Sequence, residues 1–365
     1  MRSILLLLLL SIMGGAGYFW WYAGYQAGPI VTPINPTYSD ANFDPTTMSG
    51  VELEYFDFTA WDGGVSRAAI VRKEGEESSR QLSVIAALKP EQRNHLAAID
   101  YVLVAVEWDE GIKSAMSLAE MLTAVGLKCV LWDARGLNNR HAYCTHGLKE
   151  RGDITLLINE LARRDAKQNP VCVAVGQGYG ATTLLQAAPE EKRLHALISI
   201  DAYASLRESL KRTMPDSPMT LAMLWLIDRR IVHMVGYECF DVAAVECVSS
   251  LNQDVPSLFI NLIQGSPVVN LQDAINIYRQ SASLYKQIWT LRSDEDGLDA
   301  DHRLIHTRDE AFGKAVNQDF EIQLKDDDQT ALIDMIAWLN EVVVAALRVD
   351  ESPKPVRPNF LNAAR

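Results

Sequence analysis

The sequence predicts an α/β fold built on a doubly wound, mostly parallel sheet with a small helical cap. Three observations predict it. Val171 to Val175 is a run of small, uncharged, β-favouring residues, as in a strand buried on both faces. Gly176, Gly178 and Gly180 follow at alternate positions, and an alanine- and leucine-rich helix then runs to Ala188, which makes a strand, a very tight turn and a helix. Two more strand–helix units precede this one, so strands and helices alternate along the chain.

The chain has 365 residues, 48% hydrophobic and 22% charged, an ordinary globular balance. With both ends set aside, about 300 residues remain, enough for one large α/β domain or two small ones. The formal net charge of −13 argues against a nucleic-acid partner. The five cysteines (129, 144, 172, 239 and 247) contain no C-x-x-C pair, which disfavours zinc. Cys129 and Cys172 fall in expected core strands. Cys144, Cys239 and Cys247 leave one bridge open without choosing a pair.

Residues 1–24 read as a membrane anchor or a signal peptide. Ile4 to Tyr22 is almost wholly apolar, near the ~20 residues that a helix needs to cross a bilayer. Phe19, Trp20, Trp21 and Tyr22 form an aromatic belt at its far end. Arg2 would stay inside, placing the rest outside the cytoplasm, whether membrane-anchored or, after cleavage near Ala16 or Ala23, secreted. Residues 25–50, with Pro29, Pro33, Pro36 and Pro45, read as a linker.

The domain is expected over residues 51–350. Val51 to Phe58 alternates and meets Trp61-Asp62-Gly63-Gly64, and Ala68 to Val71 returns, which predicts a hairpin. Tyr101 to Val106 is a buried strand, Ser114 to Val125 a helix ended by Gly126, Cys129 to Trp132 a strand and Gly147 to Arg164 a second helix. Leu194 to Ile200, Pro256 to Leu262 and Gln287 to Leu291 are further strands, and Ala331 to Leu347 a closing helix. The cap insertion lies at about 211–254, where Thr220 to Ile231 is apolar apart from Asp228, Arg229 and Arg230. Residues 351–365 read as a disordered tail.

Asp133-x-Arg135-Gly136, then Gly147-x-x-Glu150-x-x-Asp153 leading a helix, then the glycine turn, give an order that resembles the α/β-hydrolase family. The branch it is most similar to is that of the serine aminopeptidases and prolyl oligopeptidases. In that family the turn has the form G-x-S-x-G, with the nucleophile at its tip. The resemblance implies a hydrolase of ester or peptide bonds with a nucleophile, a histidine base, an orienting acid and backbone oxyanion donors.

Position by position, the machinery departs from that pattern. Gly178 occupies the nucleophile position and has no side chain to attack with. Thr182 and Thr183 lie beyond the tip and read as helix residues. Ser266, in Gln264-Gly-Ser266-Pro267-Val268-Val269, stands where the resemblance places the acid; Asp273 follows on an expected helix and reads as a solvated acid. His302, with His306 next, matches the histidine. The oxyanion loop is Glu107-Trp108-Asp109-Glu110-Gly111, whose acids oppose a developing negative charge. Tyr179 keeps a backbone donor in the former cleft.

Two rival patterns remain. Gly176-x-Gly178-x-x-Ala181 fits a dinucleotide fingerprint, with Asp201 near the ribose-binding position, though that fingerprint normally sits on a domain's first strand. Asp294, Asp296 and Asp299 offer oxygen ligands of the kind that suits Ca²⁺, but not in the EF-hand frame, and read by default as a solvated loop. The sequence therefore predicts a catalytically degenerate hydrolase-fold protein without a cofactor, binding a small molecule, peptide or protein through the old cleft. The alternatives are a working hydrolase with an unidentified nucleophile and a dinucleotide-binding protein.

Overall fold

The computed structural model describes residues 2–32, 50–75, 81–82, 85–86, 96–105, 111–137, 143–263, 269–292, 322–325 and 328–340, with side chains in the first helix from Met13 onward. Its frame is a nine-stranded sheet: β1 (Val51–Thr59), β2 (Val65–Lys73), β3 (Tyr101–Ala105), β4 (Cys129–Trp132), β5 (Cys172–Gln177), β6 (Leu194–Ile200), β7 (Ser257–Ile263), β8 (Lys286–Arg292) and β9 (Ile322–Lys325). The strand order is β1-β2-β4-β3-β5-β6-β7-β8-β9. The hairpin β1–β2 and the β2–β4 pair are antiparallel, and every other pairing is parallel. The doubly wound, mostly parallel sheet is thus as the sequence predicts. It continues one strand further, because Ile322–Lys325 pairs with β8 although only four residues in a polar stretch encode it.

Alternating strand residues fill two cores, since successive side chains point to opposite faces. Val102, Val104, Val173, Val175, Ala196, Ile198, Leu258 and Ile260 face α2 (Met116–Thr123) and a helix at Asp328–Trp338. Tyr101, Leu103, Cys172, Ala174, Leu197 and Phe259 face the other way, against α3 (Glu150–Arg164), α4 (Tyr179–Ala187) and a helix at Leu271–Gln280. In α3 the buried Ile154, Leu157, Ile158 and Leu161 recur at helical spacing, and Arg163 and Arg164 favour its C-terminal end. Each fully buried Leu or Ile contributes about 1.5–3 kcal/mol, so these faces hold the helices on the sheet.

The cap region holds α5 (Leu206–Arg212), α6 (Pro218–Val235) and α7 (Ala244–Cys247). The N-terminal helix α1 runs unbroken from Arg2 to Val31, past Pro29 and into the stretch expected to be a linker. Ala23, Ala27 and Val31, four residues apart, are fully buried with Ile227 and Ile231 of α6. That packing keeps helical a segment whose Pro and Gly content reads as loop. Among the described residues no helix is long and apolar enough to cross a membrane; the apolar run Leu5 to Leu10 precedes the first described side chain.

The motif that carried the resemblance is a structural staple. Arg135, buried, donates to both oxygens of Asp153 at 2.9 and 2.7 Å and to Asp62 at 2.5 Å. Asp153 also accepts from Trp61 N–H at 2.7 Å, so α3, the β1–β2 turn and the loop after β4 are tied at one guanidinium. All five cysteines are free thiols. Asp153→Ala is expected to leave Arg135 buried without its bidentate partner and to cost about 3–5 kcal/mol in urea unfolding; a loss below about 1 kcal/mol would show that Asp62 alone satisfies the arginine.

Candidate active site

Gly178 caps the N-terminus of α4 at the C-terminal edge of the sheet, with φ 52° and ψ −115°. Its N–H bonds to Ile200 O at 2.8 Å, fixing the tip against β6. The turn is tight enough that a Cβ on Gly176 would lie 2.5 Å from both the Cα and the N of Ala181, closer than any side chain tolerates. Strand β5 therefore meets α4 through backbone alone, in the sharp elbow that the sequence predicts.

Around the tip the described hydroxyls and thiols are committed or sealed. Thr182 Oγ1 donates to Gly178 O at 3.0 Å and accepts from Tyr203 N at 3.1 Å. Thr183 is buried and lines a small cavity of about 20 Å³ with Ser66, Asp133, Arg135, Glu150 and Tyr179, room for about one water. Cys144 is fully buried, and its thiol is held well above its ordinary pKa, first by burial and then by the charge of Glu150. Burial of this kind disfavours the thiolate form. Tyr179 turns its ring inward, edge-on to His146 (centroids 5.6 Å apart, 87° between planes), and its hydroxyl contacts the Cys144 thiol.

His146 is a residue that the sequence reading missed. It is buried, with a positive φ of 49°. Its Nδ1 lies 3.0 Å from Tyr203 Oη and its Nε2 2.9 Å from Ile30 O. Burial lowers its pKa, against the opposing pull of the Ile30 carbonyl and Glu150, which favours the neutral ring. Glu150 shapes this turn by accepting from Thr145 N (2.6 Å), from Thr145 Oγ1 and from Gly147 N (2.9 Å). Val31 O accepts from Cys144 N at 2.7 Å, so the last turn of α1 closes over Tyr179 and the residues beside the elbow. The only signal in sequence was the unusual Cys-Thr-His-Gly run, with no partner in sight.

Of the residues singled out from the sequence, Gly178 and Tyr179 come together at the elbow. Glu107 and Trp108, Ser266, His302 and His306, and the acidic Asp294, Asp296 and Asp299 all lie outside the described residues. Asp273 is not a solvated acid. It is buried, forms a capping box with Asn270 and pairs with Arg212 at 2.5 Å, because α5 brings a cation over the helix start. Asp201, the ribose-binding candidate, is buried at the end of β6 with a φ of 49°. One of its oxygens accepts from Leu262 N (2.7 Å) and Asn261 Nδ2 (3.1 Å), clamping β7. Among the described residues no cluster suits a metal ion.

No family model matches the chain, and no curated protein matches its sequence. Its structure is similar to an esterase of Pyrococcus furiosus in one crystal form, with a TM-score of 0.53 and 13% identity over 86% of this chain and 98% of that one. A second crystal form of that esterase gives 0.50 and 14% over 70% and 88%. The chain has the α/β-hydrolase fold. An acylaminoacyl peptidase of Pyrococcus horikoshii is matched more loosely, with a TM-score of 0.47 and 15% identity over 68% of this chain and 38% of that one. At such identities the likeness concerns the fold and not the activity.

Burial pushes the Asp201 carboxyl up to about 6, against the lowering effect of Leu262 N–H and Asn261. The folded state thus holds a proton that the unfolded chain releases between about pH 4 and pH 6. This group's contribution is full below about pH 4 and is lost as pH rises through about 6. Asp201→Asn, uncharged and tolerant of positive φ, is expected to exceed wild type in stability near pH 7 by up to about 3 kcal/mol, the gap closing near pH 4. Denaturant midpoints at the two pH values check this; a gap independent of pH would sink it.

Proposed function

We propose that this α/β-hydrolase-fold protein has lost hydrolytic catalysis and serves as a binding protein. Its N-terminal helix holds it at a membrane, with the domain outside the cytoplasm. The observation that carries the reading is glycine at the tip of an otherwise well-formed elbow. Removal of the serine in a hydrolase of known mechanism costs on the order of 10⁶ in rate, so a glycine here leaves at most residual turnover. The committed Thr182 hydroxyl and the buried Cys144 thiol support the same conclusion. The partner is a small molecule, a peptide or a protein, met at the surface over the former cleft that α1 and α6 help to build. The membrane reading rests on the apolar run Ile4 to Tyr22 and on α1 being continuous with the part that packs against the domain.

The test is covalent labelling of the full chain by a fluorophosphonate probe, together with hydrolysis of short p-nitrophenyl esters. Wild type is expected to be silent in both. Labelling at a Ser, Thr or Cys would overturn the reading and identify the nucleophile. In Gly178→Ser the new side chain takes up a backbone conformation that costs about 1–3 kcal/mol. Labelling of that variant alone would mean that the elbow and a base persist and that the loss is confined to the nucleophile.

A further inference from the structure

Helices α1 and α6 run antiparallel. Trp20 lies beside Arg230 and His233 near the C-terminal end of α6, whereas Ala27 and Val31 share their apolar cluster with Ile227 and Ile231. At 1.5 Å rise per residue, the part of α1 before Tyr18 projects beyond the end of α6. An aromatic girdle stands where the two helices part. Tyr18, Trp21 and Tyr25 are more than half exposed, with ring centroids 6.0 and 6.2 Å apart in succession. The apolar run Ile4 to Leu10 continues the same helix outward.

A cation sits at the foot of that girdle. The Arg230 guanidinium lies 4.8 Å over the Trp20 ring centroid, and His233 flanks the same ring at 6.4 Å. Among the described residues, Asp228 pairs with Arg229 at 3.0 Å and with Arg207 at 3.9 Å, and Glu238 pairs with Arg229 at 3.3 Å. Arg230 Nε is buried and has no acceptor among the described residues. A guanidinium with an unpartnered Nε among the described residues, stacked on a tryptophan at the depth where aromatic rings give way to an apolar helix, has the chemistry of a bilayer interface.

We propose that Arg230, with His233 beside it, binds the phosphate of an anionic phospholipid headgroup at the level where α1 meets the membrane. The site rests on the membrane-held reading of α1 and deepens it. It places the C-terminal end of α6 against the headgroups and gives the domain a fixed orientation. A free phosphate offers the same oxygens without the apolar surface that the girdle and the run before it require.

The experiment equilibrates the full chain between phosphatidylcholine vesicles and phosphatidylcholine–phosphatidylglycerol vesicles, separates them by flotation, and repeats this for Arg230→Gln and Arg230→Lys. Wild type is expected to favour the anionic vesicles by about fivefold, the worth of one interfacial cation. Arg230→Gln should lose that preference while still floating with both populations, and Arg230→Lys should keep most of it. Limited proteolysis of α1 in each variant shows whether the helix stays packed. If wild type floats with neither population, the membrane reading fails. If it floats with both but Arg230→Gln keeps the wild-type preference, the headgroup site is overturned and the membrane reading stands. Loss of the preference in Gln together with its retention in Lys supports the site even if Gln loosens α1.

Discussion

Backbone contact between β5 and α4 at Gly176 is the constraint on which the rest of the architecture depends. No side chain fits between Gly176 and Ala181, so strand and helix meet at a spacing that only glycine permits. That closeness turns the chain sharply at Gly178 and lifts its tip above the sheet edge. The hydrogen bond from Gly178 N to Ile200 O then ties the tip to β6, whose own end is clamped to β7 through Asp201. The elbow is therefore a rigid part of a central sheet, and it stays well formed without the serine that the fold usually presents there.

The polar residues around the elbow hold elements together. Arg135 and Asp153 join the hairpin turn to α3. Glu150 bends the turn that carries His146, and His146 bonds to Tyr203 and to the Ile30 carbonyl. Through Ile30 and Val31 the end of the N-terminal helix packs into the domain beside the elbow. A fold that spends its buried polar groups on holding α1 is suited to presenting a fixed surface.

Much of the fold was legible in the sequence because each strand there announces itself twice, by its own apolar run and by the helix that follows it. Val171 to Val175 and its glycine turn fixed the centre, and Tyr101, Cys129, Leu194 and Ser257 open strands close to where periodicity puts them. β9 was not legible, since Ile322-Gln-Leu-Lys is too short to show alternation and owes its existence to β8 alongside. Asp273 was misread for a related reason. A carboxylate at a helix start looks solvated until Arg212 is brought over it by a helix sixty residues away in sequence.

By itself the sequence determined the strand–turn–helix at residues 171–188, the doubly wound order, and the absence of a side chain at the elbow's tip. All three follow from local chemistry: residue size, hydrophobic period and the steric freedom of glycine. Only the tertiary structure decided that α1 continues to Val31, that His146 is buried between Tyr203 and Ile30, and that Arg230 stacks on Trp20. These depend on contacts between segments far apart in the chain, 57 residues for His146 and Tyr203 and more for the others, whose meeting no local pattern encodes. Helical packing against α6 outweighed the proline and glycine signals of residues 25–31, because burying Ala27 and Val31 yields more than the propensity of so short a stretch costs.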